Sequence, residues 1–199
     1  DQRTILNKVF PDISAAILAG GRATRLGGIN KALIEFDGVT VISRTIRLIE
    51  PLFSEIIVAG WPEGDPVPGN VIPVQDNYRG VGPLAGIEAS LGVAQSPVVF
   101  VFGGDMPWLS EKLIRAQVSD FLKNPSGILA ARSGGLFEPL HSIYSRKIHP
   151  ALVEYITGGG SPAVIDFYKQ ADIRYFDLPG TEEARKALTN INRPEDLLP

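Results

Sequence analysis

Short apolar runs rich in isoleucine and valine recur along the chain and alternate with longer mixed segments, the pattern of parallel strands buried on both faces and joined by helices. Ile13 to Leu18 is the first run, and Glu55 to Ala59, Val71 to Val74 and Pro97 to Phe102 follow it. Gly127 to Ala131 and Leu136 to Ser145, split by a Ser-Gly-Gly turn, and then Ile173 to Leu178 complete the predicted strands. Between them the pattern predicts a hairpin-like excursion over Ala32 to Val41 around Asp37-Gly38, then a helix to about Ile49 that Pro51 stops. Further helices are predicted from Pro83 to about Val93, from a Ser110 cap to about Leu122 with Glu111 in the first turn, and from Arg146 to Ile156. Trp61 to Gly69, with three prolines and two glycines, reads as loop, Gly158 to Ser161 as a break, and Asn190 to Asp196 as a polar tail. Two polar, glycine-rich loops, Ala19 to Asn30 and Gln75 to Gly82, each follow a strand. That is where an open α/β sheet binds ligands.

Composition narrows the class. At 199 residues with 44% hydrophobic and 21% charged, the chain can bury a full core, and no charge block or Ser/Pro-rich linker divides it, so a single domain over 1–199 is expected. A formal charge of -3 gives no strong positive field for nucleic acid, so any phosphate has to be gripped locally. With no cysteine and two histidines, disulfides, thiolate zinc sites, thiol nucleophiles and histidine-rich metal chemistry drop out. Asp1 to Phe10 lacks a signal-peptide core and no apolar run approaches the roughly 20 residues of a bilayer span, so a cytoplasmic protein without a membrane partner is expected.

Three segments carry candidate chemistry. In Leu18-Ala19-Gly20-Gly21-Arg22-Ala23-Thr24-Arg25-Leu26-Gly27-Gly28, with Lys31 beyond it, adjacent glycines let backbone N–H groups approach phosphate oxygens, and Arg22, Arg25 and Lys31 add charged donors. No Gly-Lys-Ser/Thr occurs, so this is not a P-loop, and a plain turn with solvated basic residues stays open. Asp76 to Gly86 leads into a helix whose N-terminus favours anions. Its glycines, Gly80, Gly82 and Gly86, miss the dinucleotide spacing by one residue, and Asp76 can meet a base or ribose or cap its own loop. Asp105, in Gly104-Asp105-Met106-Pro107 after the most hydrophobic strand, has the chemistry to bind Mg²⁺ beside phosphate oxygens. Ser110 is better placed to cap the next helix, which leaves Asp105 available. His141 reads as a hydrogen-bonded cleft residue, and Trp61 and Trp108 read as packing residues beside these loops.

These blocks, with Gly82-Pro83-Leu84-Ala85-Gly86, Glu138-Pro139-Leu140-His141 and Tyr144, and Asn190-Ile191-Asn192-Arg193-Pro194-Glu195-Asp196-Leu197, stand in an order that resembles the molybdenum cofactor guanylyltransferases, MobA-like members of the nucleotidyltransferases with a Rossmann-like sheet. The resemblance covers nearly the whole chain. It implies a single-domain α/β fold with a mostly parallel central sheet and helices on both faces, its N-terminal part mainly nucleotide-binding and its C-terminal part mainly acceptor-binding. It implies transfer of GMP from Mg-GTP to molybdopterin carrying molybdenum, with release of pyrophosphate. Cytidylyl transfer to the same cofactor, or nucleotidyl transfer to a sugar 1-phosphate, is the alternative. By the same resemblance Asp105, Lys31 and Arg25 are catalytic, and Leu18, Ala19, Gly20, Gly21, Lys31, Asp76 and Asp105 meet GTP, with Mg²⁺ on Asp105. Gly82, Pro83, Leu84, Pro139, His141, Asn190 and Asn192 meet the acceptor, Leu140 lines the same cleft, and proteins that deliver molybdopterin or mature molybdoenzymes are the implied partners. Gly104 departs from the cysteine that often precedes the metal carboxylate in the family.

Overall fold

The strand that predicts best from its sequence is also the centre of the molecule. In the computed structural model, which describes residues 8–20, 25–26, 29–64, 66, 68–191 and 196, β1 (Ile13–Leu18) has all six residues buried. It pairs in parallel with β2 (Ile56–Ala59) on one side and β4 (Val98–Gly103) on the other, and β3 (Ile72–Val74) extends the sheet beyond β2. Past β4 lie β6 (Leu136–Ser145), β5 (Ile128–Ser133) and β7 (Ile173–Asp177), giving the order β7-β5-β6-β4-β1-β2-β3. Only β6 runs against the others, so the sheet is mostly parallel, as expected. Strand order reverses between β1 and β4, which opens a crevice beyond their carboxyl ends.

Helices cover both faces. On one, α1 (Val41–Ile49) and α3 (Glu111–Lys123) pack Ile42, Ile46 and Ile49, and Ile114, Val118 and Phe121, against Ile17, Phe100 and Phe102. Both start on side-chain caps: Thr40 Oγ1 accepts from Ser43 N at 3.3 Å and Ser110 Oγ from Leu113 N at 3.4 Å. On the other face, α2 (Pro83–Val93), α4 (His149–Thr157) and α5 (Val164–Tyr168) pack Ile87 and Leu91, Leu152, and Phe167 against Ala16, Leu18, Ile57 and Val101. Leu84 through Leu91 are all buried, so α2 is enclosed almost all round rather than amphipathic.

Several local readings change. The stretch 19–30 is not wholly loop, because Arg25–Leu26 pairs with Ile29–Asn30. The predicted helix from Arg146 begins as a 3₁₀ turn, Arg146–Ile148, and becomes α-helical at His149, with Pro150 tolerated in its first turn. Two short helices went unpredicted: α5, and α6 (Glu182–Ala187), capped by Thr181 Oγ1 on Ala184 N at 3.3 Å. Trp61 and Trp108 are packing residues as read, Trp61 in the core at 2% exposure and Trp108 against Ile34, Val41 and Ile191. Among the described residues no helix is long and apolar enough to cross a membrane.

Candidate active site

The ends of β1 and β4 meet backbone to backbone. Gly104 N donates to Leu18 O at 2.9 Å, and a Cβ on Gly104 would stand 2.7 Å from that oxygen. On the other flank a Cβ on Gly20 would lie 2.6 Å from the Gly60 Cα. These approaches make the departure from cysteine at Gly104 intelligible: as the strands pack here, the joint has no room for a side chain.

Asp105 leaves this joint at the mouth of the crevice. Its Oδ2 lies 3.5 Å from Lys31 Nζ, the two side chains being 14% and 6% exposed. Lys31 is held by local geometry: it opens the 3₁₀ turn Lys31–Leu33, which Asn30 caps by accepting from Ala32 N at 3.0 Å. Burial pushes the Asp105 carboxyl above the ordinary carboxylate range, and the Lys31 ammonium pulls against that rise. The far end of the chain closes on the same residue, because Ile191 N donates to Asp105 O at 2.9 Å. Beside it the Asn190 side-chain oxygen is buried and unpartnered.

The structure adds a carboxylate to which sequence reasoning gave no role. Since His141 pairs with Phe102 across the antiparallel β4–β6 ladder, Glu138 and Asp105, three residues further in opposite directions, lie toward the same end of the sheet, Glu138 still paired with Ala131 of β5. Burial raises the Glu138 carboxyl, its Oε1 accepts from Leu140 N at 2.9 Å, and the Asp105 charge raises it further. The signal in the sequence is the glutamate that heads the Glu138-Pro139-Leu140-His141 block.

The second loop ends in Gly82, at φ 59° and ψ -143°, with no side chain capping the N–H groups of α2. Gly82 and Pro83 are exposed there. Desolvation, and then the Glu88 carboxylate on α2, push the Asp76 carboxyl up. Leu18 and Ala19 turn their side chains into the core, at 6% and 1% exposure, leaving their main chain as the means of any contact.

Two assignments to the acceptor cleft are corrected. His141 is fully buried: Gln117 Nε2 donates to Leu129 O and His141 O, so its Oε1 accepts from His141 Nδ1 at 3.0 Å, with Phe100 and Phe102 edge-on to the ring. Burial drives its pKa down to about 4, which keeps it neutral. It is a core histidine, and Pro139 and Leu140, both half-buried, hold the accessible positions of that block. Leu84 is likewise a core side chain, at 1% exposure. Gly21, Arg22 and Asn192 lie outside the described residues, as does the side chain of Arg25.

Residues 15–172 match the family model of the MobA-like NTP transferase domain. The chain belongs to the MobA-like NTP transferase family. It is a nucleotidyltransferase, and the match spans the Asp105–Lys31 pair, both glycine-bearing loops and the block around Glu138. A Carboxydothermus hydrogenoformans protein named a probable molybdenum cofactor guanylyltransferase is 31% identical over 189 residues, covering 93% of each chain. The molybdenum cofactor guanylyltransferase of Vibrio parahaemolyticus is 28% identical, covering 92% of each. Among solved structures, the molybdopterin-guanine dinucleotide biosynthesis protein A of Archaeoglobus fulgidus superposes with a TM-score of 0.77 over 92% of this chain and 94% of that one, at 22% identity. That likeness is one of MobA-like fold.

Proposed function

We propose that the chain transfers GMP from GTP to the terminal phosphate of molybdopterin-type molybdenum cofactor, forming molybdopterin guanine dinucleotide and pyrophosphate. The observation that carries this is the Asp105–Lys31 pair at the reversal of strand order, 3.5 Å apart. The names of relatives that align over nearly the whole chain support the choice of substrates. A phosphate oxygen of the acceptor attacks the α-phosphorus of GTP, and the bond from that phosphorus to the pyrophosphate oxygen breaks. The acceptor is already a nucleophile, so the chain's task is to align the reactants and balance charge. Lys31 offers its ammonium to the triphosphate, and the first turn of α2, whose N–H groups no side chain caps, offers its dipole to an anion. Leu18, Ala19, Gly20 and Gly21 take the guanine face, Asp76 the nucleoside, and Arg25 the phosphates. Pro139, Leu140, Asn190 and Asn192 take the acceptor.

The residues fit a divalent cation. Among the described residues no group of three or more acidic or histidine side chains gathers to cage an ion. Magnesium is commonly held by one or two carboxylates together with substrate phosphates, which suits Asp105. Bound there, Mg²⁺ would neutralise charge developing on the phosphates.

The test is a melting-temperature panel of the purified chain with GTP, CTP, UTP and ATP, each with and without Mg²⁺. Ligand at about 100 times its dissociation constant adds roughly 2.7 kcal/mol, a rise of several degrees for a domain of this size. A rise confined to GTP with Mg²⁺ is the expected result. A preference for CTP overturns the choice of base, and no rise with any nucleotide in the presence of molybdopterin overturns the reading. In the same assay Lys31→Ala is expected to lose the rise with GTP.

A further inference from the structure

The loop that carries Asp76 is tied down by a carboxylate the reaction does not use. Glu88 lies inside α2 at 4% exposure, among positions otherwise apolar or small. Both its oxygens are engaged. Oε2 accepts from Asn77 Nδ2 at 3.0 Å, and Oε1 meets His149 Nε2, at the start of α4, at 3.0 Å. The imidazole lies along α2, where a Cβ on Gly92 would touch its Nε2 at 3.5 Å. Burying a carboxylate is costly unless every lone pair it presents is answered, and core packing would be served as well by leucine. The charge thus calls for an explanation other than packing, and outside the two helices it holds Asn77, the residue next to Asp76.

We infer that Glu88 is a positioning residue for nucleotide binding: anchored by His149, it holds Asn77 and thereby fixes the direction in which the neighbouring Asp76 presents its carboxylate. This rests on the reading that Asp76 meets the nucleotide. Two carboxylates placed close together repel, so without the Asn77 bridge the loop would relax away from α2 and the Asp76 side chain would lose its orientation.

The experiment measures GTP affinity by titration calorimetry, in the presence of Mg²⁺, together with the melting temperature, for the whole chain and for Asp76→Ala, Asn77→Ala, Glu88→Ala and Glu88→Gln. Asn77→Ala and Glu88→Ala are each expected to weaken GTP by about tenfold, the loss typical of a hydrogen bond to a charged group. Glu88→Gln, whose amide oxygen can still accept from Asn77, is expected to regain most of that loss. In an Asp76→Ala background neither truncation should weaken GTP further, a non-additivity that general destabilisation would not produce. If Asp76→Ala weakens GTP while Asn77→Ala and Glu88→Gln bind as the parent and Glu88→Ala loses only melting temperature, Glu88 is structural and the inference fails alone. If Asp76→Ala itself binds GTP normally, both the nucleotide reading of the loop and the positioning role fall. Asn77 is exposed, so its variant reports on the idea even if Glu88→Ala does not fold.

Discussion

The two sides of the crevice are made by different means. On the side of β1, β2 and β3 the sheet is parallel and in register, and its strand ends touch through glycines, so the site there is largely main chain. On the side of β6 and β5 the pairing is antiparallel, the register slips between Glu138 and Ser142, and Ile191, distant in sequence, donates its N–H to the Asp105 carbonyl. A triphosphate presents the same repeated oxygens whatever nucleoside it carries, and regular backbone serves it. An acceptor of particular shape needs side chains re-aimed out of the regular sheet, which is what a bulge provides.

Asp105 sits where the two sides join, and its loss should have the largest effect. Asp105→Asn keeps the shape and removes the charge that pairs with Lys31, so nucleotidyl transfer is expected to fall by about a thousandfold or more, in line with the loss of a preorganised charged group. Product formation measures this, and a circular-dichroism spectrum checks that the fold persists. Activity within tenfold of the parent would show that the join is not where the chemistry happens.

The next effect belongs to the buried histidine of β6. Its folded pKa of about 4 lies below the ordinary value of 6.5, so between these values the unfolded chain binds more protons than the folded one. Stability from this group is complete above pH 6.5 and is lost as pH falls toward 4, by on the order of 3 kcal/mol. Urea unfolding at pH 7 and pH 4.5 should show the drop, and His141→Asn should flatten it. An unchanged slope in that variant would assign the acid sensitivity to carboxylates.

A smaller effect is expected on the regular side. Gly104→Ala puts a methyl group 2.7 Å from the Leu18 carbonyl and should cost about 2 kcal/mol of stability, as overpacking does. Equal stability to the parent would mean that the β1–β4 joint has slack. Smallest of all, Leu136→Ser changes a side chain 79% exposed at the hairpin tip and should alter stability by less than about 0.5 kcal/mol.

The same contrast explains what could be read from the chain. The ends of β1, α2 and α3 fall within a residue or two of their sequence positions, because a short apolar run ended by a Gly/basic stretch, Pro83 at a helix start and Ser110 with Glu111 are local signals. Asp105 and Lys31 come together as the motifs suggested. His141 did not reach the cleft. Its place beside the acceptor came from the resemblance, and the groups that enclose it, Gln117 of α3 and Phe100 and Phe102 of β4, lie far from it in sequence. Helices of five and six residues, α5 and α6, fall below the length at which periodicity speaks, although the Thr181-Glu182-Glu183 start of α6 was a usable cap. The close approaches at Gly20 and Gly104 are tertiary facts, visible beforehand only as glycines.

The hydrogen bond from Ile191 to the carbonyl of Asp105 also sets an order of events during synthesis. The strands that carry the closely packed glycines, up to and including β4, leave the ribosome well before the segment that pins Asp105 is translated. For that interval a nascent chain can own a half-built crevice whose Asp105 lacks its clasp. Competence for transfer is then expected only once residue 191 has been delivered and has folded back onto Asp105.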